Sequence, residues 1–257
     1  MSRSTALRLV VVVAAMAVAW QFAGLVFGDA RAPSVHLLRG ALVSSATLAA
    51  VMLLLRLDGL PWRIAGHHAP LANLRAFALG ASLWLVPALL GAIACVALGW
   101  SSIRPQSPPA TLLAALPALA LGVFLFEAFP EELGIRGYVQ GLLARRTAQW
   151  VALLLQAVVF TAFAWAVGAL DTVEAWSFIP CLALILGYVR ALTGSVWAGI
   201  GVHTAWMTTA QLLSAHFSIE GRQALQFVAF ALLPSACIGS VLGAMRPDFG
   251  WRRPAAA

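Results

Sequence analysis

The chain has 257 residues; 62% of them are hydrophobic and only 10% are charged, with a net charge of +7. This composition excludes an ordinary soluble domain and is typical of a protein that crosses a membrane several times. The positive charge does not point to nucleic acid, because the arginines stand singly or in pairs between apolar segments, as in proteins whose topology they encode. We therefore expect membrane lipid, and no nucleic acid, as a partner.

A helix needs about 20 apolar residues to cross the hydrocarbon core of a bilayer. The sequence therefore predicts an all-α fold, a polytopic transmembrane helical bundle of about eight spans. Loops are predicted where proline, glycine and charged residues interrupt the apolar stretches, at residues 58–61, 101–109, 171–174 and 218–222. The eight stretches are Leu7–Phe27, His36–Leu55, Leu74–Leu98, Leu112–Ala144, Trp150–Val167, Trp176–Val189, Val196–Leu213 and Phe227–Met245.

The arginines predict how the spans are oriented. Arg3 and Arg8 precede about twenty apolar residues, which favours a retained first span over a cleaved signal peptide with its shorter apolar core. With the N-terminus inside, twelve arginines fall in cytoplasmic segments and four fall outside. This bias predicts an even number of spans with both termini in the cytoplasm. We expect an integral, multi-pass protein of a bacterial cytoplasmic membrane. The four outer arginines are Arg31, Arg39, Arg104 and Arg222.

The fourth stretch, Leu112–Ala144, is too long for a simple span. Pro117 and Pro130 can each break or kink a helix, because proline removes a backbone donor and clashes with the preceding turn. We predict one bent helix that ends at Arg145 and Arg146.

An acidic cluster lies inside this long stretch. An ionised side chain in lipid costs several kcal/mol unless it faces the protein interior and finds a partner. Glu132 and Arg136 are four residues apart and can pair along one helix face. Glu131 diverges from Glu132 by about 100° and is left facing a cavity, where a free carboxylate could serve as a general base. Glu127 shares its face with Glu131, and the alternative role of the whole cluster is to lock helix packing.

Three further positions fall at a matching depth. Glu131 lies about 21 Å along its helix from Arg145, and Phe160 lies about as far from the same membrane surface. His203 lies about 20 Å from Arg190, less the length of the turn between them. His203 is also the only histidine well inside an apolar stretch. We expect it to share a level with the acidic pair.

Two motifs carry a family resemblance. The sequence Glu131-Glu132-x-x-x-Arg136 resembles the EExxxR motif of the CAAX-protease and bacteriocin-processing family of intramembrane proteases, and residues 187–203 resemble the family's last core segment. The resemblance implies a core around an intramembrane cavity. It also implies that Glu131 activates water, that Glu132 and Arg136 organise it, and that His203 is the histidine of the third motif.

This sequence departs from the family pattern at two positions. Ala164 stands where the second motif, FxxxH, has its histidine, and Met207 stands where the third motif has asparagine or aspartate. The family resemblance leaves a divalent metal such as zinc as a possible cofactor, held by Glu131 and His203 if by any residues. Zinc sites normally use three protein ligands, so this set is incomplete.

His67 and His68 could in principle complete such a ligand set. They belong to a polar loop with neighbouring arginines, and we predict an interfacial pair instead of ligands.

The resemblance divides the chain into three parts: about three spans over residues 1–111, the family core over residues 112–213, and a final span with a short cytoplasmic tail over residues 214–257. It implies an endopeptidase that hydrolyses a membrane-associated peptide or protein. The two substitutions motivate an alternative, a catalytically impaired relative that serves as a scaffold, immunity or binding protein. A proton-coupled transporter would also place carboxylates in the membrane, but the sequence shows no internal repeat. The sequence predicts no oligomeric state.

Overall fold

Long helices make up most of the computed structural model, which describes residues 3–28 and 33–253. A short 3-10 helix, Trp62–Ala65, precedes the third long helix. Two strands, β1 (Ser102–Pro105) and β2 (Phe217–Glu220), each lie in the connection between two consecutive long helices. The long helices are α1 (Arg3–Phe27), α2 (Pro33–Leu57), α3 (Pro70–Ala97), α4 (Pro109–Ala144), α5 (Gln149–Ala166), α6 (Val173–Thr193), α7 (Val196–His216) and α8 (Arg222–Met245).

Seven of these helices, within the described residues, are long and apolar enough to cross a membrane; α7 is not among them. Helix α7 has 21 residues, as α6 does, but it carries several polar side chains, and its first half is buried within the protein. A helix enclosed by protein does not need the hydropathy of one that faces lipid. The predicted all-α, polytopic membrane bundle is confirmed, and α7 is its enclosed eighth helix.

Helix α7 runs parallel to α3, and the two helices extend between the same two faces of the bundle. At their beginnings, the Val196 amide donates to the Gly66 carbonyl at 3.1 Å. Near this end a Cβ on Gly201 would collide with the Phe77 carbonyl oxygen, and one on Gly80 would collide with that of Ala198. Glycine therefore permits the close approach of the two helices.

The two strands correct the prediction of loops at residues 101–109 and 218–222. They pair antiparallel just beyond the ends of α3 and α7, with Ser102 opposite Glu220 and Pro105 opposite Phe217. The Ser101 hydroxyl adds a hydrogen bond to the Glu220 carbonyl at 2.8 Å. Each strand has four residues and pairs only with a partner more than a hundred residues away, so neither carries a local signal strong enough to predict it.

Helix α4 continues without a break through Pro117 and Pro130, but its turns are not uniform. Two segments, Phe124–Ala128 and Glu132–Val139, are π-helical, and the remainder is α-helical. A π-helical turn accommodates an additional residue and rotates the side chains that follow, and such turns often occur at functional sites. The acidic pair lies at the junction between the short α-helical segment and the second π segment.

The ends of the helices form two opposite faces of the bundle. The arginine-rich face comprises the loop of residues 58–69, the turn of residues 145–148 and the turn of residues 194–195. There Arg190 donates to the Ile64 carbonyl at 2.9 Å, which ties the loop to α6. The ribbon face, at the other ends of the helices, contains β1 and β2.

The contact of α3 with α7 makes a stability prediction. We expect Gly201→Ala to destabilise the protein by about 1–3 kcal/mol, because the new methyl group overpacks the interface at the Phe77 carbonyl. Thermal unfolding of the protein in detergent measures the effect. The matched control is Gly239→Ala on α8, where a Cβ meets nothing within 4 Å. Equal unfolding midpoints for the two variants would contradict the prediction.

Candidate active site

The four predicted site residues come together where α4, α5 and α7 meet. Glu131, Glu132 and Arg136 lie on α4, and His203 lies on α7. All four are buried: Glu132 and Arg136 completely, and Glu131 and His203 with 8% and 3% exposure. The three residues on α4 are close together because they are neighbours along one helix. His203 reaches them because α7 packs against α4.

A buried ion pair is the centre of this cluster. Arg136 Nη1 donates to Glu132 Oε1 at 3.0 Å, and the Arg136 guanidinium lies 4.1 Å from the centroid of the Phe160 ring on α5. Within the described residues, Nε and Nη2 of Arg136 and Oε2 of Glu132 have no hydrogen-bond partner. The carboxylate and the aromatic face together hold the guanidinium in place.

His203 lies between the two glutamates. Its Nδ1 is 3.4 Å from Glu132 Oε1, and its Nε2 is 3.9 Å from Glu131 Oε2. When Nδ1 carries a proton and donates to Glu132, the opposite nitrogen faces Glu131. The ion pair therefore orients the imidazole, as a carboxylate commonly does for a functional histidine.

The two glutamates differ in accessibility. The Glu131 side chain is 11% exposed, whereas the Glu132 side chain is completely buried. Among the described residues Glu131 forms no direct hydrogen bond, since the nearest ring nitrogen is 3.9 Å away. Glu132 contacts both Arg136 and His203, and Glu131 carries the more exposed carboxylate of the two.

Gly199 allows α7 to approach the ion pair, and it was not among the site residues predicted from the sequence. A Cβ at this position would lie 2.5 Å from Glu132 Oε2, well inside van der Waals contact. Small residues spaced along a membrane helix signal close approach, and the Gly199-Ile200-Gly201 sequence carries that signal.

A second polar contact lies one turn before the acidic pair. Gln211 on α7 donates from Nε2 to Glu127 Oε1 at 2.9 Å. The sequence predicts Glu127 on the face of Glu131 but does not indicate Gln211 as its partner. In the sequence, Gln211 stands out only as an amide side chain inside an apolar stretch.

The two substituted motif positions differ in burial. Ala164 is buried on α5 with 3% exposure, one turn after Phe160, and its methyl group offers no polar atom. Met207 is partly buried on α7, one turn after His203. The phenylalanine of the second motif thus still contacts Arg136, while the position of its histidine is purely apolar.

The donor set does not fit a zinc ion held by three protein ligands. The described part of the chain contains no group of three histidine, cysteine, aspartate or glutamate side chains arranged to bind a metal. Glu131 and His203 supply two donors, and Glu132 is paired with Arg136. His67 cannot complete the set, because its ring bonds Trp197 at the arginine-rich face.

Fold and site define a multi-pass helical membrane protein with a buried glutamate–arginine–histidine cluster. Residues 111–209 match the family model described as type II CAAX prenyl endopeptidase Rce1-like. The matched segment extends from α4 to α7 and contains all four site residues, so the family resemblance predicted from the two motifs is confirmed over this segment. No curated protein is significantly similar to the chain.

The ion pair makes a second stability prediction. We expect Arg136→Met to destabilise the protein by about 3–5 kcal/mol, because it leaves the Glu132 carboxylate buried without its cation. We expect Glu132→Gln combined with Arg136→Met to recover most of this loss, since no buried charge then lacks its partner. Denaturant or thermal unfolding in detergent compares the variants. A double variant as unstable as Arg136→Met would show that packing of the guanidinium, and not its charge, is what matters.

Proposed function

We propose that the protein is an intramembrane endopeptidase that hydrolyses a peptide bond in a membrane-associated peptide or protein. The observation that carries this proposal is the position of Glu131, the more exposed carboxylate, opposite Nε2 of His203 at 3.9 Å. A water oxygen lying beside this gap can stay within hydrogen-bond distance of both groups. The match of residues 111–209 to a family of endopeptidases supports the same reaction class.

The geometry suggests the following sequence of steps. Glu131 accepts a proton from the water, and the hydroxyl oxygen adds to the carbonyl carbon of the scissile bond. The carbonyl oxygen becomes an oxyanion, which accepts a hydrogen bond from Nε2–H of the protonated His203 ring. Glu131 then passes its proton to the leaving nitrogen, the carbon–nitrogen bond breaks, and an acid and an amine are released.

Glu132 and Arg136 act as positioning residues in this scheme. Glu132 accepts from Nδ1 of His203 and so aims Nε2 at the reacting carbonyl. Arg136 supplies the opposite charge that a buried carboxylate requires. Neither needs to touch the substrate.

This proposal predicts that Glu131→Gln lowers the rate of cleavage by about 10²–10⁴-fold, the usual contribution of a general base. The unfolding midpoint should change little, because Glu131 forms no direct hydrogen bond within the described residues. The measurement is cleavage of a pool of membrane-spanning peptides by the full chain in proteoliposomes, read by mass spectrometry. The matched control is Glu174→Gln in the first turn of α6, away from the site. A Glu131→Gln variant as active as wild type would overturn the mechanism.

A second candidate function is a family relative that binds a membrane peptide without cleaving it. The apolar Ala164 and Met207 positions favour it, since they remove two polar groups of the family motifs. It predicts that the wild type and Glu131→Gln retain the same peptides from that pool equally well, and that neither releases products. Hydrolysis that depends on Glu131 would exclude it.

We also propose that the arginine-rich face lies on the cytoplasmic side, because most arginines cluster there. The test uses single-cysteine variants in a background without Cys95, Cys181 and Cys237. Arg104→Cys, on the ribbon face, should react with a membrane-impermeant maleimide in intact cells. Arg63→Cys should react only after permeabilisation, and the reverse pattern would invert the topology.

A further inference from the structure

A cavity of about 400 Å³ opens between the first turns of α3, the middle of α4 and the first turn of α7. This volume falls within the range of about 300–1,000 Å³ that is usual for small-molecule sites. None of the four residues of the candidate active site lines it. Most of its wall is apolar, formed by Pro70, Leu74, Phe77, Phe124 and Trp197.

Two polar side chains, His67 and Asn73, complete the wall. Asn73 is 4% exposed, and the backbone of His68 determines the orientation of its amide. The His68 N–H donates to Asn73 Oδ1 at 2.9 Å, and Asn73 Nδ2 donates to the His68 carbonyl at 2.9 Å. The oxygen and nitrogen of this amide therefore cannot exchange places, and Nδ2 keeps one further hydrogen to donate.

The proton of the neutral His67 ring is also assigned. Trp197 Nε1–H lies 3.1 Å from His67 Nδ1, and an indole nitrogen can only donate. Nδ1 must then accept, so the ring carries its hydrogen on Nε2. That nitrogen is 3.5 Å from Asn73 Nδ2. Two N–H donors thus face each other, and neither can accept from the other.

An oxygen acceptor placed beside these two donors would satisfy both. The rest of the wall requires an apolar body attached to that acceptor. Helix α3 is an apolar helix that presents Leu71 and Leu74 outward, with exposures of 57% and 63%, as expected of a lipid-facing surface. The cavity lies at the end of α3, where a membrane helix meets the level of the lipid head groups.

We propose that this cavity binds a fatty acyl chain from the membrane. The oxygen of its carboxylate or ester accepts hydrogen bonds from His67 Nε2–H and Asn73 Nδ2–H, and the chain packs on the Phe77, Phe124 and Trp197 rings. This site does not depend on peptide hydrolysis. Phe124 and Trp197 also pack against Phe129, two residues before Glu131, so an occupant would contact the wall that supports the acidic pair.

The test measures saturable binding of two labelled probes, palmitate and dipalmitoyl phosphatidylcholine, to the full chain in detergent. Leu74→Phe fills the cavity from an exposed position, and Leu71→Phe adds the same ring to the same helix outside it. His67→Phe keeps a ring but removes the Nε2–H donor. Hexadecane, which lacks an acceptor, and an apolar tetrapeptide with a free carboxyl terminus serve as competitors.

We expect at least one probe to bind with about one molecule per chain, and the probe that binds identifies a free fatty acid or a phospholipid as the source. Leu74→Phe should weaken binding by about tenfold or more, because its ring occupies the cavity. His67→Phe should weaken binding of palmitate by about tenfold or more, the usual effect of losing a hydrogen bond to a charged acceptor, and binding of the phospholipid ester by about twofold to tenfold. Leu71→Phe should bind as wild type does. The proposal fails if neither probe binds, if Leu74→Phe and Leu71→Phe bind alike, or if hexadecane or the tetrapeptide displaces the probe better than unlabelled lipid does.

Discussion

The pair of Glu132 and Arg136 is the interaction on which the rest of the site depends. Removing two ions from water costs several kcal/mol each, and one short contact repays this only when its geometry is good and other groups assist. Phe160 assists from one side, where its ring covers the guanidinium. Gly199 assists from the other, because its missing side chain lets α7 reach the carboxylate. His203 then takes its position from a pair that is already held.

This arrangement also explains the character of α7. The helix must bring an imidazole, hydroxyls and an amide into the bundle, which lowers its hydropathy below that of its neighbours. It can do so because α3 lies beside it from the arginine-rich face to the ribbon face, so that the polar groups of its buried first half face protein and not lipid. Gly80 and Gly201 bring the two backbones together, and the ribbon of β1 and β2 joins their far ends.

The structure shows where the departures from the family motifs lie. The histidine of the second motif would stand on α5 one turn after Phe160, and there the chain has the methyl group of Ala164. The phenylalanine that contacts Arg136 is retained, while the histidine of the second motif is absent. In the proposed mechanism, the remaining carboxylate and the oriented imidazole transfer protons, and two such donors fall short of the three protein ligands that a zinc site normally uses.

The sequence by itself determined the features that depend on neighbours along the chain. Apolar length predicted the seven helices that can cross a membrane, and the four-residue spacing of Glu132 and Arg136 predicted their pairing, because both follow from helix geometry alone. Depth counting placed His203 at the right level, but not at its distance from each glutamate. Only the tertiary structure decided the close approach at Gly199, the pairing of the two strands and the tautomer of His67. These depend on how helices far apart in sequence cross and pack, and no local pattern encodes that geometry.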